Sequence, residues 1–239
     1  PIVLLVGAAA SPFVGTAGDR FGHKRLLIIC LVIYSVGLIS GLVAPDIWVL
    51  LFGRAMQGAG IAAFPLGYAI IRQRLCETGA DTGIGIISAM YGAGTFIGVI
   101  TGSFITGLFS WRVTYMVLIP ATCILLLCIW KYIGDDEPVN GHGSLDFAGF
   151  FSLLLFLLLS LVFFSLPTED QTGFFGLLAL VCAVLVFGLF IRIERRASHP
   201  LADIQLMKRR PVAVFMVIGF LTVFTFFVLL QMMPYIIRL

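Results

Sequence analysis

Eight apolar stretches, each about as long as a lipid bilayer is thick, divide this sequence of 239 residues. An α-helix rises about 1.5 Å per residue, so about 20 apolar residues cross a hydrocarbon core. Charged residues, proline or glycine bound each stretch. The stretches are residues Pro1–Gly18, Leu26–Ala44, Ile47–Ile71, Thr82–Phe109, Val113–Ile133, Phe147–Leu166, Gly173–Ile191 and Val212–Ile237. Their length favours helices over a β-barrel, whose strands are segments of about 10 residues.

Composition supports a membrane protein, because 60% of the residues are hydrophobic and only 11% are charged. Such a chain has too little polar surface to cover a soluble globule. We therefore expect an all-α, polytopic membrane protein with about eight transmembrane helices in contact with the lipid bilayer. The net charge of +3 belongs to the loops and gives no reason to expect nucleic acid as a partner.

The basic residues are distributed unevenly between the two ends of the stretches. If successive loops alternate between the two sides, only Arg112 and Arg238 lie on one face of the membrane. Twelve lie on the other face, namely Arg20, Lys24, Arg25, Arg72, Arg74, Lys131, Arg192, Arg195, Arg196, Lys208, Arg209 and Arg210. The positive-inside rule makes the richer face cytoplasmic, so we expect a plasma-membrane protein with the Pro1 end outside.

Two inner segments, 134–146 and 192–211, are longer and more polar than the other connections. They predict cytoplasmic linkers that separate the helices of 1–133, 147–191 and 212–239. The sequence begins at Pro1 without a methionine and has no signal peptide pattern. We therefore expect an internal piece of a longer chain, with one further helix before the first stretch.

The connection between the first two stretches combines glycines, one acid and several bases. Glycines allow a sharp turn, and a carboxylate among cations forms charge-assisted bonds that a moving neighbour makes or breaks. The alternative is a basic turn that obeys only the positive-inside rule. The residues concerned are Gly15, Asp19, Arg20, Gly22, Lys24 and Arg25.

Arg54 lies within the third stretch, about two helical turns below the outer membrane surface. An ionised guanidinium there is costly unless it is paired, so Arg54 is a candidate functional residue. Gln57 follows at i+3 on the same helix face and is placed to share a polar path. The alternative is that Arg54 snorkels outward as an anchor.

Two further features lie in the fourth and last stretches. Gly94, Gly98 and Gly102 recur every four residues and predict a face for close helix contact. Gln231, near the outer end of the last stretch, is a weaker candidate for a substrate-binding residue. Two interpretations stay open: Gln231 and Pro234 line a substrate cavity, or they mark a kink in the helix.

Sequence signatures of soluble enzymes are missing. The chain has no Gly-x-x-x-x-Gly-Lys-Ser/Thr loop and no His-Glu-x-x-His, and its cysteines lack the spacing of a metal site. We expect neither an enzyme nor a cofactor or metal.

Taken together, the inner turn, the Arg54-x-x-Gln57-Gly58 segment and the glycine ladder resemble the major facilitator superfamily in their order and span positions. The chain is also similar to the fourteen-span drug:proton antiporter branch. The segments that carry this second resemblance are Ser110-Trp111-Arg112, Leu145-Asp146-Phe147-Ala148-Gly149 and His199-Pro200-Leu201-Ala202-Asp203-Ile204-Gln205-Leu206.

This resemblance implies two six-helix halves around a central cavity, with two inserted helices between them. The chain would supply spans 2–6 of the first half, inserted spans 7–8 and the first helix of the second half. The inner turn would be the gate, Arg54 and Gln57 would take part in proton coupling, and Gly94, Gly98 and Gly102 would form the antiporter-type interface. Val99 and Ser103 stand where that last motif has proline and glycine.

The resemblance implies a proton-coupled exporter of small amphipathic drugs or metabolites that works by alternating access with the remaining helices of the full chain. Two alternatives stay open: a facilitator or symporter of a polar metabolite, and a membrane sensor or scaffold without transport. The spans offer few deep polar groups for a polar substrate beyond Arg54, Gln57 and Gln231.

Overall fold

The structure is a computed structural model that describes residues 2–134, 146–166, 173–197, 201 and 204–236. The regular elements among these residues are all helices. They are α1 (Ile2–Phe21), α2 (His23–Val43), α3 (Ile47–Ala62), α4 (Phe64–Arg74), α5 (Glu77–Leu108), α6 (Trp111–Tyr132), α7 (Phe147–Ser165), α8 (Phe174–Glu194), α9 (Ile204–Met207) and α10 (Arg210–Ile236).

Eight segments of the described chain are long and apolar enough to cross a membrane, with α3 and α4 together forming one of them. The predicted all-α, polytopic fold is therefore confirmed. Large apolar side chains cover much of the surface, as expected of helices whose outer faces meet lipid. The first predicted linker, 134–146, falls mostly on residues outside the described ranges. Most of the second, 192–211, is described: it includes the end of α8, the short helix α9 and the start of α10.

The third apolar stretch is not the single helix that its hydropathy predicts. Helix α3 ends at Ala62, and α4 begins at Phe64 with Pro65 in its first turn. A proline has no N–H to donate and its ring crowds the preceding turn, so an unbroken helix is disfavoured there. The break divides this span into two helices, with Arg54 and Gln57 both on α3.

The connection between α1 and α2 is much tighter than the sequence predicts, since the apolar stretches Pro1–Gly18 and Leu26–Ala44 leave residues 19–25 between them. Helix α1 continues through Asp19 to Phe21, and α2 begins at His23, so Gly22 alone joins them. Gly22 has a φ of 93°, a left-handed conformation that favours glycine. The glycine therefore sets the angle at which α2 folds back on α1.

Helices α1, α2 and α3 form the centre of the bundle, and α4 and α6 pack against it. The buried core joins Val14, Cys30, Ala62 and Leu66. Helices α7 and α8 form a hairpin that contacts α1, where the Phe13 ring lies 5.2 Å and 5.0 Å from the ring centroids of Phe147 and Phe150.

Candidate functional site

Helices α2 and α3 approach each other backbone to backbone at Gly37 and Gly53. A Cβ atom on Gly37 would lie 2.7 Å from the Gly53 carbonyl oxygen, and one on Gly53 would lie 2.9 Å from the Gly37 oxygen. Real Cβ atoms do not come so close, so only glycine fits at this crossing. The close approach brings the Gln57 side chain on α3 within reach of the α2 backbone.

Gln57 is buried, with 5% of its surface exposed. Its Nε2 donates a hydrogen bond to the Gly37 carbonyl oxygen at 3.1 Å. An amide inside a membrane-spanning bundle is costly unless it is hydrogen-bonded, and this bond offsets that cost. Because Nε2 faces the α2 backbone, the Gln57 Oε1 is left to accept a hydrogen bond from a residue on α3 itself.

Arg54 is that neighbour, and its Nη1 donates to Gln57 Oε1 at 3.5 Å. Its Cζ lies 5.5 Å from the centroid of the Tyr115 ring, which is a cation–π distance. Arg54 and Gln57 thus share one face, as their spacing indicates. Among the described residues, no carboxylate forms an ion pair with Arg54.

Two tyrosines beside Arg54 were not predicted from the sequence. Tyr115 on α6 packs against Gly41, where a Cβ would lie 2.6 Å from the ring atom Cε1. Tyr34 on α2 packs against Gly60 in the same way, at 2.6 Å from its Cδ2. The sequence feature that could have indicated these contacts is the pair of glycines, Gly41 and Gly60, because each leaves space for a ring from another helix.

An open cleft of about 590 Å³ lies beside this polar group. Its wall combines the Arg54 and Gln57 side chains with tyrosine rings and many apolar groups. The lining residues come from α1 to α6 and are Val3, Leu4, Leu31, Tyr34, Arg54, Gln57, Gly60, Ile61, Phe64, Tyr91, Leu118, Ala121, Thr122 and Leu125. A mainly apolar pocket with few polar groups suits an amphipathic molecule or another apolar segment.

The inner turn forms a second group of polar residues at the other end of α2. His23 and Gly37 are separated by fourteen residues on α2, which is about 21 Å of helix. The His23 Nε2 lies 3.1 Å from Asp19 Oδ1. The sequence indicated cations as the partners of Asp19, and the structure adds this histidine as a hydrogen-bonding neighbour of its carboxylate.

The remaining residues of the predicted gate differ in their surroundings. Arg20 and Arg25 are exposed, whereas Lys24 is 8% exposed. The Arg20 Cζ lies 5.1 Å from the centroid of the Phe21 ring. A Cβ on Gly15 would meet nothing within 4 Å, so Gly15 is not required for a close contact with any described residue.

Two other predicted features are placed differently. A Cβ on Gly94, Gly98 or Gly102 would meet nothing within 4 Å, so this face of α5 is open among the described residues, and its role as an interface stays a prediction. Gln231 lies in α10, but its side chain is outside the described part of the structure.

Metal-ligating side chains are not gathered in the described ranges. No group of three or more histidine, cysteine, aspartate or glutamate residues is placed there to hold an ion. The predicted site residues instead take part in two polar groups: a guanidinium and an amide beside a cleft, and a histidine–carboxylate pair at a helix turn.

The spanning helices and the guanidinium within them define a polytopic membrane protein with a polar site inside its spanning region. A family model described as Major Facilitator Superfamily matches residues 2–239. The chain therefore belongs to the major facilitator superfamily, a family of membrane transporters rather than of enzymes.

Several curated proteins are similar to this chain. An uncharacterised MFS-type transporter, YwoD of Bacillus subtilis (strain 168), is 30% identical over 214 residues, 85% of this chain and 45% of its own length. The lincomycin resistance protein of Streptomyces lincolnensis is 26% identical over 213 residues, 86% of this chain and 43% of its own. Multidrug resistance protein 3 of B. subtilis is 23% identical over 231 residues, 95% and 44% respectively.

The chain thus spans less than half the length of the relatives it matches. It is a multi-pass membrane protein of a transporter family, and two of these relatives are named for drug resistance. The match of residues 2–239 to the family model neither requires nor excludes the fourteen-span branch, which stays a prediction.

Proposed function

We propose that this chain is part of a secondary transporter that uses inward proton movement to export amphipathic drugs or metabolites by alternating access. The observation that carries the proposal is the Arg54 guanidinium inside a membrane span. It borders an open cleft, and its described partners are the Gln57 amide and the Tyr115 ring. The drug-resistance names of two relatives support export as the direction.

A fixed cation at this depth suits proton coupling for an electrostatic reason. A guanidinium cannot lose its proton in a protein, so its free energy depends on whether a nearby carboxylate is charged. A carboxylate that reaches Arg54 in one conformation stays ionised there and takes up a proton when the pair separates. Each proton that crosses 100 mV supplies about 2.3 kcal/mol.

We place the acidic partner on a helix outside this sequence, because no described carboxylate forms an ion pair with Arg54. We also propose that the inner turn is a cytoplasmic gate with partners in the other half of the protein. If the inner turn is cytoplasmic, the Pro1 end lies outside the plasma membrane. We propose separately that Gly94, Gly98 and Gly102 contact a helix beyond this sequence.

The test uses the intact transporter in proteoliposomes with an imposed pH gradient. Lincomycin and an amphipathic dye are the probes, since one relative is named for lincomycin resistance. Arg54→Ala should abolish proton-driven efflux, and Arg54→Lys should retain part of it because it keeps the charge without the planar fork. Arg195→Ala is the control, since Arg195 is exposed beyond the end of α8.

Three outcomes would contradict the proposal. Full proton-driven efflux by Arg54→Ala removes Arg54 from coupling. If the efflux rate of the unaltered protein does not depend on the pH gradient, the protein is a facilitator. No substrate-dependent proton flux with any probe favours a sensor or scaffold.

A further inference from the structure

His23 is a buried histidine at the point where α1 turns into α2. Only 2% of its surface is exposed, whereas the Asp19 side chain beside it is 74% exposed. The Nε2 of His23 lies 3.1 Å from Asp19 Oδ1. A buried imidazole therefore contacts a carboxylate that is otherwise exposed on the surface of the molecule.

The backbone of the turn is shaped to hold this imidazole. Gly22, with its φ of 93°, folds the first turn of α2 against the last turn of α1. A Cβ on Gly18 would lie 3.0 Å from His23 Cδ2 and 2.6 Å from Leu66 Cδ2. The ring thus occupies a slot between α1 and α4 that exists because residue 18 has no side chain.

The contacts of the two ring nitrogens select one tautomer. A carboxylate only accepts hydrogen bonds, so the nitrogen facing Asp19 carries the proton. The other nitrogen, Nδ1, is buried and has no hydrogen-bond partner among the described residues. A proton on Nδ1 would leave a buried donor unsatisfied, which costs more than a bare acceptor nitrogen. The geometry therefore favours the Nε2–H form.

We propose that His23 is a positioning residue that fixes the Asp19 carboxylate for the cytoplasmic gate. Its Nε2–H holds Oδ1, and the exposed remainder of Asp19 is presented in one orientation to the opposing half of the transporter. This inference rests on the proposed gate function. The charged residues around the pair are Arg20 on α1 and Lys24 and Arg25 on α2, and Leu66 on α4 adds no charge.

The first experiment needs no transport activity. The intact transporter, labelled with 15N-histidine and 13C-aspartate and reconstituted in lipid, is measured by solid-state NMR, and His23 is assigned by the signals that His23→Gln removes. We expect Nδ1 to be the unprotonated nitrogen and Nε2 the protonated one, with a contact to the Asp19 carboxyl carbon. A protonated Nδ1, or no contact with Asp19, would overturn the proposal.

The second experiment separates positioning from general packing. The Gln side chain places an N–H about where the histidine Nε2–H lies, whereas Asn is polar but too short to reach Asp19. We expect His23→Gln to retain efflux within about twofold and His23→Asn to lose at least about fivefold, since a charge-assisted bond is lost. Arg195→Ala again serves as the control.

An Asp19→Asn background completes the test. If His23 acts through Asp19, adding His23→Asn to Asp19→Asn lowers efflux no further. Additive losses would show that His23 acts as packing alone and would refute the positioning role. A protein whose NMR shows the predicted pair but that exports no probe would instead contradict the proposed function and leave the contact itself established.

Discussion

The crossing of α2 and α3 at Gly37 gives the sharpest quantitative prediction. In Gly37→Ala, the new Cβ would lie 2.7 Å from the Gly53 carbonyl oxygen and 3.0 Å from the Gln57 backbone nitrogen. Both are backbone atoms, so no side-chain rotation relieves the clash. Restoring a distance of about 3.4 Å requires the two helices to separate by about 0.7 Å at this point.

That separation also reaches the polar site. The Gln57 Nε2 to Gly37 oxygen distance of 3.1 Å would become about 3.8 Å, which is beyond hydrogen-bonding range. Overpacking of this kind costs about 1–3 kcal/mol, and an interhelical hydrogen bond in a membrane contributes about 0.6 kcal/mol. We therefore expect Gly37→Ala to destabilise the protein by about 2–4 kcal/mol and to weaken efflux.

The assay is thermal unfolding of the intact transporter in detergent, with Gly15→Ala as the matched control. Gly15 also lies within a membrane helix, but a Cβ there meets no described atom within 4 Å. Alanine at that position should be neutral or stabilising by up to about 1 kcal/mol, because glycine is a poor helix former. Equal melting temperatures for Gly37→Ala and Gly15→Ala would refute the argument from close packing.

Three further predictions concern single contacts. Tyr115→Leu should lower proton-driven efflux severalfold in proteoliposomes because Arg54 loses its cation–π contact, whereas Tyr115→Phe keeps the ring and should stay near the unaltered rate. Arg112→Ala should lower stability by about 1 kcal/mol in thermal unfolding, since its Nη2 donates to the Ala44 carbonyl oxygen at the end of α2; an unchanged melting temperature would contradict this. Asp46→Ala should cost about 1 kcal/mol by the same measurement because Asp46 caps α3, and recovery in Asp46→Asn would identify capping as the cause.

The polar residues of the cleft could be found from the sequence only in part. Arg54 and Gln57 stand out because a cation and an amide are rare in an apolar stretch, and their spacing alone places them on one face. Tyr115 could not be found in this way, since tyrosine is common in membrane helices. Its position below Arg54 depends on the slot that Gly41 leaves on another helix.

The inner turn shows the same division. Its acid and its glycines are visible in the sequence, but no sequence pattern distinguishes His23 from its neighbours in the turn. The contact with Asp19 requires the particular backbone angle at Gly22, which turns the first residue of α2 onto the last turn of α1. A looser turn with the same composition would leave the imidazole in water.

The sequence by itself determined the number of spans, their approximate ends and that Arg54 lies inside one of them, because apolar length and charge act locally against the bilayer. Only the tertiary structure decided which helices touch each other. It places the Gln57 amide in a hydrogen bond with Gly37 and the Tyr115 ring beside Arg54. It also divides one span into α3 and α4. These contacts join residues far apart in the chain. Steric fit between helix surfaces selects them, and hydropathy carries no information about that fit.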